Sequence, residues 1–167
     1  MNKQIALTQG HIAIVDPADF EWLSQWKWSY TTGSNGKGAR AERSFRINGR
    51  QKHIFMHRLI MDAPDGMEVD HINGNGLDNQ RKNLRLCSRS QNAKNITSMR
   101  VHTSWFKGVS YHKRLRKWHA QITNEYRRIH LGLFACELEA ARAYNLAAPK
   151  YHGEFASLND LNKVIHV

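Results

Sequence analysis

Cysteine is scarce in this chain, and long apolar runs are absent. The two cysteines, Cys87 and Cys136, are far apart and form no CxxC pair, which excludes a disulfide framework and a four-cysteine zinc site. No apolar run approaches the roughly eighteen residues needed to span a bilayer, and the N-terminal sequence lacks the continuous apolar segment of a secretory signal. We therefore expect a soluble, intracellular (cytoplasmic) protein with no membrane partner.

Acidic residues are also few relative to basic ones. The 167 residues carry 25 Lys and Arg against 14 Asp and Glu, a formal net charge of +11, and residues 99–167 hold +6 of that excess. Positive charge favours polyanions, because each neutralised phosphate releases condensed counterions. Nucleic acid is the expected partner, and a basic surface that merely aids solubility is the alternative.

Residues 1–50 combine short strands, turns and aromatic residues. IALTQGHIAIVD predicts strands, and DFEWLSQWKW predicts a short helix or turn. Asn48-Gly49 within RSFRINGRQKHIFM predicts a two-residue hairpin turn. Trp22, Trp26 and Trp28 are open to two interpretations, base stacking or core packing, and their spacing favours the core.

Residues 51–98 predict the order strand, strand, helix after a short helix in HRLIMDAP that stops before Pro64. MEVDHI and NLRLC are the strands, with the tight turn NGNG after the first. Ser88 followed by Gln91 is a capping-box pattern, which predicts that SRSQNAKN begins a helix.

The stretch DHINGNGLDNQRKNLRLCSRSQNAKN places a carboxylate, an imidazole and several amides together. Phosphodiester hydrolysis needs an activated water, charge stabilisation on the phosphate and help for the leaving 3′ oxygen; an imidazole can serve the first need and a divalent cation the others. Asp70 is an oxygen ligand suited to Mg²⁺, and His71, next in a strand, points to the opposite side. Asn92, in the first turns of the helix, can return an amide oxygen to the same metal. Asn83 is placed to hold the loop or to orient the His71 ring.

These residues, Asp70-His71, Asn83 and Asn92, resemble the H-N-H motif of HNH endonucleases, the ββα-metal nucleases, in the variant that ends in Asn. The run from VDHINGNG to NAKN, with HRLIM upstream, is similar to phage and intron-encoded HNH homing endonucleases over most of residues 51–98. The resemblance implies Asp70 and Asn92 as metal ligands, His71 as general base, a structural role for Asn83, and DNA as substrate. A polar loop closed by its own Asx turns and an HNH-like module without catalysis are the alternatives. His57 is open to two interpretations, support of the site or a place on the short helix alone, and the second is favoured.

Residues 99–167 predict two or three basic strands followed by the helix CELEAARAYNLAAPKYHG, which should end near Pro149 and lie across the strands. The pattern resembles an AP2 DNA-binding domain, a three-stranded antiparallel sheet packed on one helix, over nearly all of residues 105–158. Trp118 is open to core packing or base stacking, and the core is favoured. The first hairpin is longer by one residue than in plant AP2 factors and several contact residues differ, so the target sequence does not follow. The basic hairpin and the resemblance together predict this DNA-binding set: Ser110, His112, Arg114, Arg116, Lys117, Gln121, Arg128 and His130.

The sequence thus predicts an α+β protein with a β-rich segment at 1–50 that contacts DNA or completes the nuclease, an HNH nuclease module at 51–98 and an AP2-like domain at 99–167. We expect a site-specific, homing-type endonuclease that hydrolyses double-stranded DNA, as a monomer or homodimer, and nicks one strand per active site. One divalent metal per site is expected, Mg²⁺ before Mn²⁺, with no zinc site and no small-molecule cofactor. The alternatives are a catalytically inactive DNA-binding regulator and a protein that binds or cleaves RNA.

Overall fold

The computed structural model describes residues 1–32, 38–95 and 103–162. The chain divides into two compact units, Met1–Asn92 and Ala93–Val167. In the described residues, every sheet is antiparallel, and four α-helices accompany the sheets. The fold is therefore mixed α and β, as predicted. None of the helices in these ranges is long and apolar enough to cross a membrane.

The first unit consists of three small sheets and short helices. Its sheets pair β1 with β2, β3 with β4 and β5, and β6 with β7. The bounds are β1 Lys3–Ala6, β2 Ile12–Val15, α1 Pro17–Leu23, β3 Ser29–Thr31, β4 Arg40–Ile47, β5 Arg50–Phe55, α2 Met56–Ile60, β6 Glu68–His71, β7 Leu84–Cys87 and α3 Arg89–Asn95, the last of which runs past the end of the unit.

The hairpin of β4 and β5 turns at Asn48-Gly49, as predicted. Ile47 pairs with Arg50, so only two residues form the turn. Asn48 and Gly49 have φ of 50° and 75°, the left-handed pair that matches the twist of two antiparallel strands. The Asn-Gly signal is confirmed because this backbone conformation is costly for most other residues.

The core of the first unit draws on both ends of its sequence. Ile5, Val15 and Trp28 are buried in one cluster with Met56 and Leu84. The core interpretation of the tryptophans is confirmed, since the other two also pack against this cluster. Residues 1–50 and the β6–β7 hairpin therefore share one hydrophobic core.

The loop between β6 and β7 is fastened to the N-terminal segment. The backbone of Ile14 bonds to it twice, from its N–H to Leu77 O (2.8 Å) and from Asn79 N–H to its carbonyl (2.7 Å). The Arg81 guanidinium donates from Nε and Nη2 to the two oxygens of Asp19, each at 2.8 Å. We call these contacts the N-terminal clamp. Together with Leu77, which packs against the core, it restrains the loop.

The second unit is one three-stranded sheet with a helix across it. Its elements are β8 Val109–His112, β9 Lys117–Asn124, β10 Arg127–Phe134 and α4 Glu137–His152, with β9 central. Ala120 and Ile122 of the sheet are buried against Ala140, Ala141 and Ala148 of α4, because small residues let a helix approach a sheet closely. Trp118 packs against the same core, as predicted.

Helix α4 does not end near Pro149, which corrects the sequence expectation. It continues to His152, whose Nε2 lies 2.8 Å from the Thr123 carbonyl of β9. Proline lacks one N–H donor, but it stands in the last turn, where only one helical bond is lost. The buried His152 and the left-handed Gly153 (φ 55°) then end the helix one turn later.

Candidate active site and nucleic-acid interface

Asp70 and His71 occupy adjacent positions at the end of β6. Side chains alternate along a strand, so the two point to opposite faces; across the hairpin Asp70 pairs with Arg85 and His71 with Leu84. Both side chains are buried. The sequence prediction of a carboxylate and an imidazole on the two sides of one strand matches this geometry.

Asp70 is held by a cation from the neighbouring strand. Arg85 donates to Asp70 Oδ2 from Nε (2.9 Å) and from Nη2 (2.7 Å). The Arg85 side chain is 13% exposed and that of Asp70 is 7% exposed. Because a buried charge is costly unless it is paired, the guanidinium compensates the burial of the carboxylate on this face of β6.

His71 is arranged as a neutral imidazole. Its Nε2 lies 3.3 Å from Asn79 Oδ1, and an amide oxygen only accepts, so the ring proton belongs on Nε2 and the lone pair on Nδ1. Burial lowers the pKa of His71, against opposing contributions from the Asn79 hydrogen bond and the Asp70 charge. A neutral ring is the form that can take a proton from water.

His57 lies on the short helix α2, as expected, and also against the His71 ring, which favours the other interpretation, support of the site. The two rings meet edge to face with centroids 5.0 Å apart, and the other side of His57 stacks on Phe55 at 5.4 Å. Burial, followed by repulsion from His71, lowers the pKa of His57 to about 3. The uncharged His57 ring therefore packs against the His71 ring and restricts its rotation.

Asn83 holds the loop between β6 and β7. Its Oδ1 accepts from Asn73 N–H (3.0 Å), and its Nδ2 donates to Asp78 O (2.8 Å) and to Asn73 Oδ1 (3.0 Å). Of the two roles that the sequence left open, loop holding is the one this geometry supports. The amide that contacts the His71 ring is that of Asn79, which sequence reasoning did not select.

Asn92 lies on α3, whose start is fixed by the predicted capping box. Ser88 N–H donates to Gln91 Oε1 (2.8 Å), and Gln91 N–H donates to Ser88 Oγ (3.2 Å). One turn on, Asn92 Nδ2 donates to Glu68 Oε2 at 2.5 Å. Glu68 stands two residues before Asp70 in β6 and so shares its face. The structure thus adds Glu68, which was missed because a single Glu in a strand carries no motif.

The oxygen donors of Asp70 and Asn92 are of the type that a hard cation takes. No cluster of three or more His, Cys, Asp or Glu side chains placed to hold a metal occurs within residues 1–32, 38–95 and 103–162. An ion such as Mg²⁺ needs no such cluster, because it takes one or two protein oxygens and keeps several waters. The Asp70 carboxylate and the Asn92 amide are oxygen donors of this kind, whereas structural zinc prefers sulfur and imidazole.

The predicted DNA-binding set divides between the outer face of the second unit's sheet and its first turn. Val109, Ala120 and Ile122 are buried under α4, so the alternate positions face outward. None of the outward positions of β8, β9 and β10 is acidic. Six predicted residues occupy this face, Ser110, His112, Lys117, Gln121, Arg128 and His130, and two exposed ones, Arg114 and Arg116, lie in the β8–β9 turn.

The same face carries a histidine pair that sequence reasoning missed. His119 Nε2 lies 2.7 Å from His130 Nδ1, and the rings stack with centroids 4.8 Å apart. Burial, and then repulsion from His130 and His112, lowers the pKa of His119. His130 pairs directly with Gln121, so His119 is its diagonal neighbour. Only the register of β9 against β10 brings the two histidines together, and that register has an irregularity between His130 and Gly132.

Comparison with known proteins identifies both regions. The family profile described as HNH endonuclease matches residues 55–94, and the profile described as AP2 domain matches residues 104–154. An uncharacterised HNH endonuclease of Acanthamoeba polyphaga mimivirus is 30% identical over 158 residues, which cover 92% of this chain and 78% of that protein. Protein 3.8 of Escherichia phage T7 is 37% identical over 62 residues, 37% of this chain and 51% of that protein. No solved structure matches the chain significantly.

Proposed function

The chain belongs to the HNH endonuclease family, with an AP2 domain, and on that basis we propose that it is a metal-dependent, homing-type endonuclease that cuts double-stranded DNA at specific sites. The observation that carries the proposal is the pair in β6, a buried, cation-paired Asp70 beside a buried His71 whose pKa is lowered. A polar loop with a surface histidine would not bury either group.

His71 is the proposed general base. Its Nδ1 takes a proton from the water that attacks phosphorus, and the bond from phosphorus to the 3′ oxygen breaks. The contact with Asn79 holds the ring in the required tautomer, and His57 limits its rotation. Both neighbours act before the proton is transferred, by fixing where the lone pair points.

Asp70 and Asn92 are the residues that would hold the cation. Mg²⁺ is the first choice and Mn²⁺ the second, because both oxygens are hard donors. When bound, the cation would supply positive charge to the phosphate and to the departing 3′ oxygen. Arg85 then holds the Asp70 carboxylate in place while substrate and product exchange.

The proposed organisation has a nuclease unit and a targeting unit. Strands β6 and β7 with α3 would form the ββα-metal motif of residues 51–98, and residues 1–50 would complete it through the shared core and the N-terminal clamp. The AP2-like domain of residues 99–167 would place its outer sheet face in the major groove. The basic residues there, with Ser110, Gln121 and His130, are the proposed DNA contacts.

The part of the chain that the structure describes has one such site, so we propose that a monomer nicks one strand and that a double-strand break requires a dimer or two binding events. A DNA substrate also places its action inside the cell, on phage or bacterial DNA. No small-molecule cofactor enters this mechanism.

The test uses supercoiled plasmids carrying phage and bacterial DNA fragments, with Mg²⁺ or with EDTA. We expect the wild-type chain to convert them to open circles, His71→Ala to lose at least about a hundredfold in rate, and His53→Ala to cleave normally, because His53 is an exposed histidine of the same unit. Tight binding without cutting by the wild-type chain would refute the nuclease and favour the regulator.

A further inference from the structure

Glu68 is a carboxylate in the candidate active site to which the proposed chemistry gives no task. It is half-buried at the start of β6, on the face that also carries Asp70. Its Oε2 accepts from Asn92 Nδ2 at 2.5 Å. The question is what this bond does for Asn92.

The bond decides which edge of the Asn92 amide faces outward from Glu68. An ionised carboxylate has acceptors only, so the amide edge against it must be the NH₂ group. The oxygen of the amide therefore lies on the other edge. The reverse orientation would set the amide oxygen against Oε2 of Glu68, two acceptors with no proton between them.

This orientation matters because only one edge of an amide can bind a cation. The oxygen has lone pairs for a hard ion, whereas the NH₂ group of an amide has none to offer. A freely turning amide presents the wrong edge part of the time. An amide held in one orientation keeps its oxygen available to the ion.

We propose that Glu68 is a positioning residue that holds the Asn92 amide with its oxygen turned to the cation. This inference rests on the proposed function, in which Asp70 and Asn92 hold that cation. Glu68 itself acts through Asn92. Outer partners that orient a metal ligand typically change metal affinity by about 10–100-fold when they are removed.

The test measures Mn²⁺ binding to the full chain without DNA, by isothermal titration calorimetry. We expect Glu68→Ala to weaken Mn²⁺ binding about 10–100-fold, and Glu68→Gln to weaken it less, because its amide can still accept from Asn92. Asp65→Ala, which removes an exposed carboxylate nearby, should leave the affinity within about twofold. Circular dichroism of each variant shows that it is folded, and Glu68→Gln provides the result if Glu68→Ala is not.

The decisive variant is the double substitution Glu68→Ala with Asn92→Asp. Aspartate has an oxygen on both edges and needs no orientation, so the double variant should bind Mn²⁺ more tightly than Glu68→Ala alone. If the double variant recovers nothing, Glu68 is itself a ligand or a structural residue, and the inference is wrong. Unchanged affinity in both Glu68 single variants would also overturn it, while leaving the proposed function intact. A wild-type chain that binds no Mn²⁺ would overturn both.

Discussion

The ion pair between Arg85 and Asp70 gives the sharpest stability prediction. Arg85→Ala takes from a buried carboxylate, 7% exposed, the positive charge and the two hydrogen bonds that Arg85 supplies. Breaking one side of a buried pair costs about 3–5 kcal/mol of the free energy of unfolding; we take the lower end, about 3 kcal/mol, because the Arg85 side chain keeps some solvent contact. In a unit of this size, each kcal/mol lowers Tm by about 4–8 °C, so we expect a fall of roughly 12–24 °C.

The assay is urea unfolding, followed by tryptophan fluorescence, in EDTA. Arg89→Ala is the matched control, since it removes an exposed arginine a few residues away and should change stability by less than about 0.5 kcal/mol. In an Asp70→Asn background, Arg85→Ala should lower the free energy of unfolding much less, because residue 70 then carries no charge for Arg85 to balance. Equal losses in the two backgrounds would refute the reasoning.

A divalent cation should partly restore the Arg85→Ala variant. An ion at Asp70 supplies the positive charge that the variant has lost, and at a hundredfold excess over its Kd a ligand adds roughly 3 kcal/mol. We therefore expect Mn²⁺ to stabilise Arg85→Ala more than the wild-type chain, measured by the same unfolding curves. A smaller effect in the variant would show that Arg85 helps the ion to bind.

Three further predictions concern the second unit and the thiols. Gly108→Ala should unfold the second unit, because φ is +74° and the added methyl meets an α4 ring and the β9 backbone; the loss of a thermal transition would be seen by calorimetry, and an unchanged one would contradict the packing. DNA affinity should rise only when pH falls well below the ordinary histidine value of about 6.5, because burial and the neighbouring histidines lower the pKa of His119 and so delay its gain of positive charge; fluorescence anisotropy should show a smaller rise in His119→Gln. Cys136 is exposed and Cys87 is buried with its pKa raised to about 11, so Ellman's reagent should titrate one thiol in the folded chain and two in denaturant.

Local signals account for the parts of the fold that the sequence predicted. The Asn48-Gly49 turn and the Ser88–Gln91 capping box are each decided within four residues, and the structure has both. The placement of Asp70 and His71 on opposite sides follows from strand alternation alone.

The parts that were missed depend on contacts between distant residues. Arg81 and Asp19 are 62 positions apart, and nothing near either residue announces the other. His119 and His130 meet only because β9 and β10 adopt one particular register. The continuation of α4 past Pro149 depends on His152 reaching the backbone of β9, a tertiary contact that outweighs the local preference of proline.

The N-terminal clamp determines the smallest fragment of this chain that can be transferred to another protein. A fragment cut to residues 55–94, the extent of the HNH endonuclease match, would omit Ile14 and Asp19, which fasten the loop. It would also lack the residues of β1 and β2 that fill the core beneath β6. A fusion of this HNH endonuclease unit to a different DNA-binding domain should therefore keep residues 1–95, the first unit together with the whole of α3, because the HNH motif alone would lack the contacts that hold its loop and core.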